Sequence, residues 1–126
     1  MHRHRVLVIE DDEVSRDALV AALESEGCRV SVAAGADEAL ARLRASPSPC
    51  AILLDVGLPQ KNGWQFRLEQ LTDSVLAGIP VVVCSGDPEV PKNARLFGLP
   101  VVAKPIDLPS LLAHLKGSCR HGPREP

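Results

Sequence analysis

The sequence predicts a single α/β domain, a doubly wound parallel sheet built from five βα units. Strand-like apolar runs alternate with helix-like stretches from residue 5 to residue 117. Val6-Leu7-Val8-Ile9 and Val81-Val82-Val83-Cys84 are continuously apolar, and the first reads as a strand covered on both faces. A chain of 126 residues has room for one core and not for two. Parallel strands need crossover connections, which places helices on both faces of the sheet.

Each element carries its own signal. Arg5–Glu10 is a β-branched run that feeds a helix over residues 13–26, where Val14, Ala18, Ala21 and Ala22 repeat at helical spacing beside Leu19 and Leu23. Gly27 follows as the residue that ends it. Arg29–Ala33 is a second strand, and Ala36, Leu40 and Leu43 mark a helix over 36–45, closed by Pro47 and Pro49. Ala51–Asp55 is a third strand, followed by a turn-rich stretch with Pro59, Asn62 and Gly63. Trp64, Leu68, Leu71 and Val75 keep the spacing of one apolar helix stripe, which assigns Trp64 to packing rather than to a partner contact. Pro80 opens a fourth strand at Val81–Cys84, and Val101–Ala103 is a short fifth. Pro88 and Pro91 leave room for only a shortened fourth helix between them. A last helix follows Asp107, with Leu111, Leu112 and Leu115 inside and Gly117 after it. The domain is thus expected over residues 1–117, with residues 118–126 a polar, disordered tail.

Composition excludes several classes. The chain is 45% hydrophobic but only 2% aromatic, so its core must come from aliphatic side chains. A net charge of −2 and a pI near 6.1 provide no basic field for direct nucleic-acid binding. No apolar run approaches a membrane span, and the charged start Met1–Arg5 is no signal peptide. Cys28, Cys50, Cys84 and Cys119 form no CxxC pair, which fits reduced thiols in the cytoplasm. The four histidines have no metal-site spacing.

In sheets of this kind ligands bind beyond the carboxyl ends of the strands. Here those ends read Glu10-Asp11-Asp12, Asp55, Ser85 and Lys104. Asp11, Asp12 and Asp55 would gather negative charge at one edge. A like-charge pair at 4 Å costs about 4 kcal/mol at an effective dielectric near 20, so such a cluster needs a cation or shared protons. All-oxygen ligands favour Mg²⁺, and no strand end carries the His or Cys that zinc prefers. A lysine, a hydroxyl and a divalent cation suit the three equatorial oxygens of a phosphoryl group, with Asp55 as the nucleophile.

These residues resemble the response-regulator receiver domains of two-component signalling. The resemblance is carried by Asp11-Asp12, by Ile52-Leu53-Leu54-Asp55-Val56-Gly57-Leu58-Pro59 leading to Gly63, by Val81–Gly86, and by Lys104-Pro105. It implies the flavodoxin-like strand order 2-1-3-4-5. It also implies that Asp55 accepts phosphate from a phosphohistidine on a sensor histidine kinase or a histidine phosphotransfer protein. Asp11, Asp12, Asp55 and the main-chain carbonyl of Gly57 would then hold Mg²⁺, Ser85 would hydrogen-bond the phosphoryl group, and Lys104 would pair with it. The chain would be no enzyme in the ordinary sense, only catalysing its own phosphoryl uptake and loss, and would act through a downstream protein. Gly57 and Asp87 flank the path of an attacking water.

One departure falls on the switch. Receivers usually carry an aromatic residue or histidine three positions before the lysine, and here that position is Val101, which is stiff at χ1 and has no polar tip. Ser85 and Val101 are therefore the switch positions to follow. The departure motivates an alternative, a receiver-fold interaction module that works without phosphorylation. A phosphohydrolase with an aspartate nucleophile is a third reading, opposed by the absence of its usual Asp-x-Asp.

Overall fold

The computed structural model describes residues 4–45, 48–55, 63–86, 98–104 and 106–120. The aliphatic runs become strands β1 (Arg5–Ile9), β2 (Arg29–Ala33), β3 (Ala51–Asp55), β4 (Val81–Ser85) and β5 (Val101–Ala103). They form one sheet in the order β2-β1-β3-β4-β5, and every pairing is parallel. The helices among the described residues are α1 (Glu13–Ser25), α2 (Ala36–Ala45), α3 (Gly63–Leu71) and α4 (Leu108–Arg120). The stretch read as a shortened fourth helix, and with it Asp87, lies outside the described residues.

Period-2 alternation splits the core in two. Leu7, Ile9, Ile52, Leu54, Val81 and Val83 face α2 and α3. Val6, Val8, Ala51, Leu53, Val82 and Cys84 face the opposite way, onto α1 and α4. Full burial of one such side chain contributes roughly 1.5–3 kcal/mol, so aliphatic strands suffice without aromatic bulk. Cys28 and Cys84 are buried thiols, and burial pushes Cys84 up to about 11, which keeps it protonated. No helix of the described residues is long and apolar enough to cross a membrane.

Helix ends follow their local chemistry. Asp12 is the N-cap of α1 and accepts a hydrogen bond from the Ser15 N–H at 2.8 Å. After α1, Gly27 takes φ 91°, a left-handed conformation that glycine adopts without strain. Asp107 accepts from the Ser110 N–H at 3.1 Å at the start of α4.

Several expectations are corrected. Val14 is 79% exposed and takes no part in the core face of α1, which is Leu19 and Leu23. The apolar stripe read through α3 points the wrong way: Leu68, Leu71 and Val75 are exposed, and the buried face carries Phe66 and Gln70. Trp64 packs against the core as expected. The helix stops at Leu71 rather than reaching Val75, because the Gln70 amide donates to the carbonyls of Leu76 and Ile79 and holds the chain in turns there. Finally, α4 runs through Gly117 to Arg120. A glycine inside a helix costs only about 1 kcal/mol, and Gly117 does not take the positive φ that would end one.

Candidate functional site

The carboxyl ends of β1, β3, β4 and β5 set the site through their register. Ile9 stands opposite Leu54, so Glu10 falls beside Asp55. Asp55 stands opposite Cys84, and Ser85 opposite Ala103, so Ser85 lies one step and Lys104 two steps further along the same edge. The Lys104 N–H donates to the Ser85 carbonyl at 3.0 Å and ties the two ends together. Glu10, Asp55 and Lys104 share the parity of Val8, Leu53 and Val102, so all three side chains fall on the side of α1 and α4.

The side chains converge accordingly. The Lys104 ammonium lies 3.3 Å from Glu10 Oε1 and 3.6 Å from Asp55 Oδ2. Glu10, Asp11 and Asp55 each present a carboxylate oxygen within 4.8 Å of the others. Glu10 is only 2% exposed. Burial, first, and the neighbouring Asp55 carboxyl, second, push it up to about 7. Burial opposes the charge of Lys104, but the Asp55 and Glu10 carboxylates outweigh that and raise its pKa. Glu10 is buried, Asp55 half-buried and Asp11 exposed; oxygen donors this close suit a hard divalent cation, which would offset the burial and repulsion that make Glu10 hold its proton.

The sequence-predicted residues are placed as follows. Asp11 and Asp55 come together, with Lys104 beside them. Asp12 is not in this group: it is exposed and caps α1, and the Ser15 N–H lowers its pKa. Glu10 occupies the place in the acidic group that was assigned to Asp12. Its signal was present in the sequence, since Glu10 continues the inward parity of Val6 and Val8 while Asp12 lies past the strand. Ser85 ends β4, half-buried. Val101 is half-buried and packs against the core on the α2 and α3 side. Gly57, expected to offer its carbonyl to the metal, lies outside the described residues.

Comparison with known proteins agrees with this architecture. The response regulator receiver domain model matches residues 6–116. Protein PilH of Pseudomonas aeruginosa is 30% identical over 111 residues, covering 86% of this chain and 91% of PilH. The phosphate regulon transcriptional regulatory protein PhoB of Escherichia coli is 32% identical over 121 residues, covering 92% of this chain and 52% of PhoB. The chain thus spans about half the length of transcriptional regulators such as PhoB and AfsQ1. Among solved structures, a response regulator receiver protein from Pseudomonas putida superposes with a TM-score of 0.81 at 28% identity, covering 93% of this chain and 98% of its own. A response regulator from Chloroflexus aurantiacus shares the fold with a TM-score of 0.88 at 24% identity, covering 95% and 100%. With the strand order that the resemblance implied and a family model matched over residues 6–116, the chain belongs to the response regulator receiver domain family of two-component systems.

Proposed function

We propose that this receiver domain accepts a phosphoryl group on Asp55 from a phosphohistidine of a sensor kinase or phosphotransfer protein, in a Mg²⁺-dependent reaction, and thereby changes its affinity for a downstream protein. The observation that carries this reading is the Lys104 ammonium bridging Glu10 and Asp55 inside a three-carboxylate group at the sheet edge. Glu10, Asp11 and Asp55 would hold the ion, with the Gly57 carbonyl that the family resemblance adds. A bound Mg²⁺ supplies neutralisation of the phosphoryl oxygens.

The residues perform the rest. An Asp55 Oδ forms the new bond to phosphorus as the phosphorus–nitrogen bond of the donor breaks, and the imidazole keeps the electron pair and takes a proton. Lys104 turns from the carboxylates to the incoming oxygens, and the Ser85 hydroxyl donates to one of them. Loss of the group to water is self-catalysed at the same site, with no separate substrate turned over. The buried thiols of Cys28 and Cys84 fit a reducing cytoplasmic setting.

Incubation with phosphoramidate and Mg²⁺ tests the reading. One acid-stable, base-labile phosphate per chain is the expected product, and Asp55→Asn is expected to lose it. An adduct undiminished in Asp55→Asn overturns the assignment. A second experiment separates Glu10 from Asp12. Glu10→Gln is expected to weaken Mg²⁺ binding at least tenfold by calorimetry. Asp12→Ala should lower stability by uncapping α1 while leaving Mg²⁺ affinity near that of the parent. The reverse order would return Asp12 to the ligand set.

Val101 favours a second reading for the output. Packed on the core and β-branched, it lacks the swing and polar tip of an aromatic reporter. If signalling runs without phosphate, partner affinity will be the same with and without a beryllium fluoride mimic on Asp55. The phosphorylation reading expects it to change.

A further inference from the structure

At the opposite, amino-terminal end of the sheet, an open cleft of about 600 Å³ lies along the edge strand β2. It is lined by Arg5, Arg29 and Arg42, by the Ser31 hydroxyl, and by an apolar wall of Leu43 and Pro49. Arg5 and Arg29 stand directly opposite one another in the register of β1 and β2, with the parity that faces α2. Like charges in this position repel, and an anion held between them removes the penalty. Neither guanidinium forms an ion pair with a carboxylate among the described residues. Arg42 adds a third from α2, and its bond to Glu38 at 3.2 Å is exposed and therefore weak. Glu24 is the one carboxylate among the lining residues.

Backbone geometry adds a donor. The Arg29 N–H donates to the His4 carbonyl, towards β1. Successive residues of a strand turn their N–H groups to opposite sides, so that of Val30, which also lines the cleft, points away from β1 at the sheet edge. In a chain with a net charge of −2, three arginines lining one cleft beside a single carboxylate mark a local field of the opposite sign.

We propose that this cleft binds a small organic phosphate, its phosphoryl oxygens held by Arg5, Arg29 and Arg42 and its body lying on Leu43 and Pro49. Forked guanidiniums match phosphate oxygens in pairs, and the volume is that of a small-molecule site. The site is separate from the carboxylate edge and needs no divalent cation.

Calorimetric titration with ADP, in EDTA at fixed ionic strength, tests the proposal. One molecule is expected to bind with a dissociation constant below millimolar. The Arg5→Gln/Arg29→Gln double variant should weaken binding at least tenfold. Arg44→Gln, on the same helix but outside the cleft, should not, and inorganic pyrophosphate should bind more weakly than ADP. Asp55→Asn should bind ADP like the parent, which keeps this result independent of the phosphoacceptor assignment. If the double variant does not fold, Arg42→Gln alone serves, with a smaller loss expected. Absence of binding at millimolar ADP, equal binding by the arginine variants, or pyrophosphate binding as tightly as ADP overturns the proposal.

Discussion

Without divalent cations, the stability of the folded protein is expected to fall by up to about 3 kcal/mol between pH 4.5 and 7, and Mg²⁺ is expected to restore it above that range. The cause is Glu10, raised in the folded protein from 4.5 to about 7, first by burial and then by Asp55. Below pH 4.5 both folded and unfolded chains hold the proton, and its stabilising contribution is fully present. Between the two values only the folded chain holds it, so each pH unit costs about 1.4 kcal/mol. Above pH 7 the contribution is gone, and Glu10 is a buried carboxylate that shares the Lys104 ammonium with Asp55, at 3.3 Å and 3.6 Å. A cation bound there competes with the proton, so Mg²⁺ should stabilise strongly at about pH 8 and hardly at about pH 5. Urea unfolding across the range, in EDTA and in Mg²⁺, provides the measurement. Glu10→Gln, which carries no titrating group, should flatten the curve. Stability that holds level or rises through this window without cation would rule out a proton held on Glu10.

Gln70→Leu is expected to cost about 2–4 kcal/mol. The side chain is fully buried on α3. Its amide nitrogen donates to the Leu76 carbonyl at 2.8 Å and the Ile79 carbonyl at 3.0 Å, and its oxygen accepts from Arg67 at 2.9 Å. Leucine fills nearly the same volume, so little cavity forms. It takes the donor from the Ile79 carbonyl and the acceptor from the Arg67 guanidinium, at roughly 1–3 kcal/mol for each buried group left unpaired, while the Leu76 carbonyl keeps the Ile79 N–H at 3.1 Å. The loss should centre on the turns that lead into β4, where Asp73 also accepts from the Val75 N–H at 2.9 Å. Denaturant unfolding of the variant checks the total, and hydrogen exchange should show the Leu76–Ile79 amides opening first. A variant within 0.5 kcal/mol of the parent, on the scale of an ordinary surface substitution, would mean these groups find other partners.

Glu10 and Gln70 show where residue patterns stop being sufficient. The strands were legible because a short aliphatic run bounded by turn residues, continuous or alternating as in Arg29–Ala33, has few other ways to fold, and β1 to β5 appear where those runs lie. The caps were legible too: Asp107 and Gly27 act locally, within a few residues of their targets. Gln70 was not, because a polar residue counts against burial unless its partners are known, and Leu76 and Ile79 are supplied by a turn beyond the helix. Leu68 and Leu71 misled for the converse reason. Their spacing is helical, but spacing alone does not say which face of a helix meets the sheet.

The same boundary runs through the site. Which chemistry the edge can host was present in the residues themselves: aspartates, a serine and a lysine at strand ends, in an order that resembles a receiver. These are properties of residue type and position along single strands. Which carboxylates share a cation depends on register between strands, because Glu10 meets Asp55 only once Ile9 pairs with Leu54. Nearness across strands far apart in sequence, and the burial that raises Glu10 to about 7, exist only in the assembled sheet. The arginine cleft has the same origin, since Arg5, Arg29 and Arg42 come together only when β1, β2 and α2 are packed.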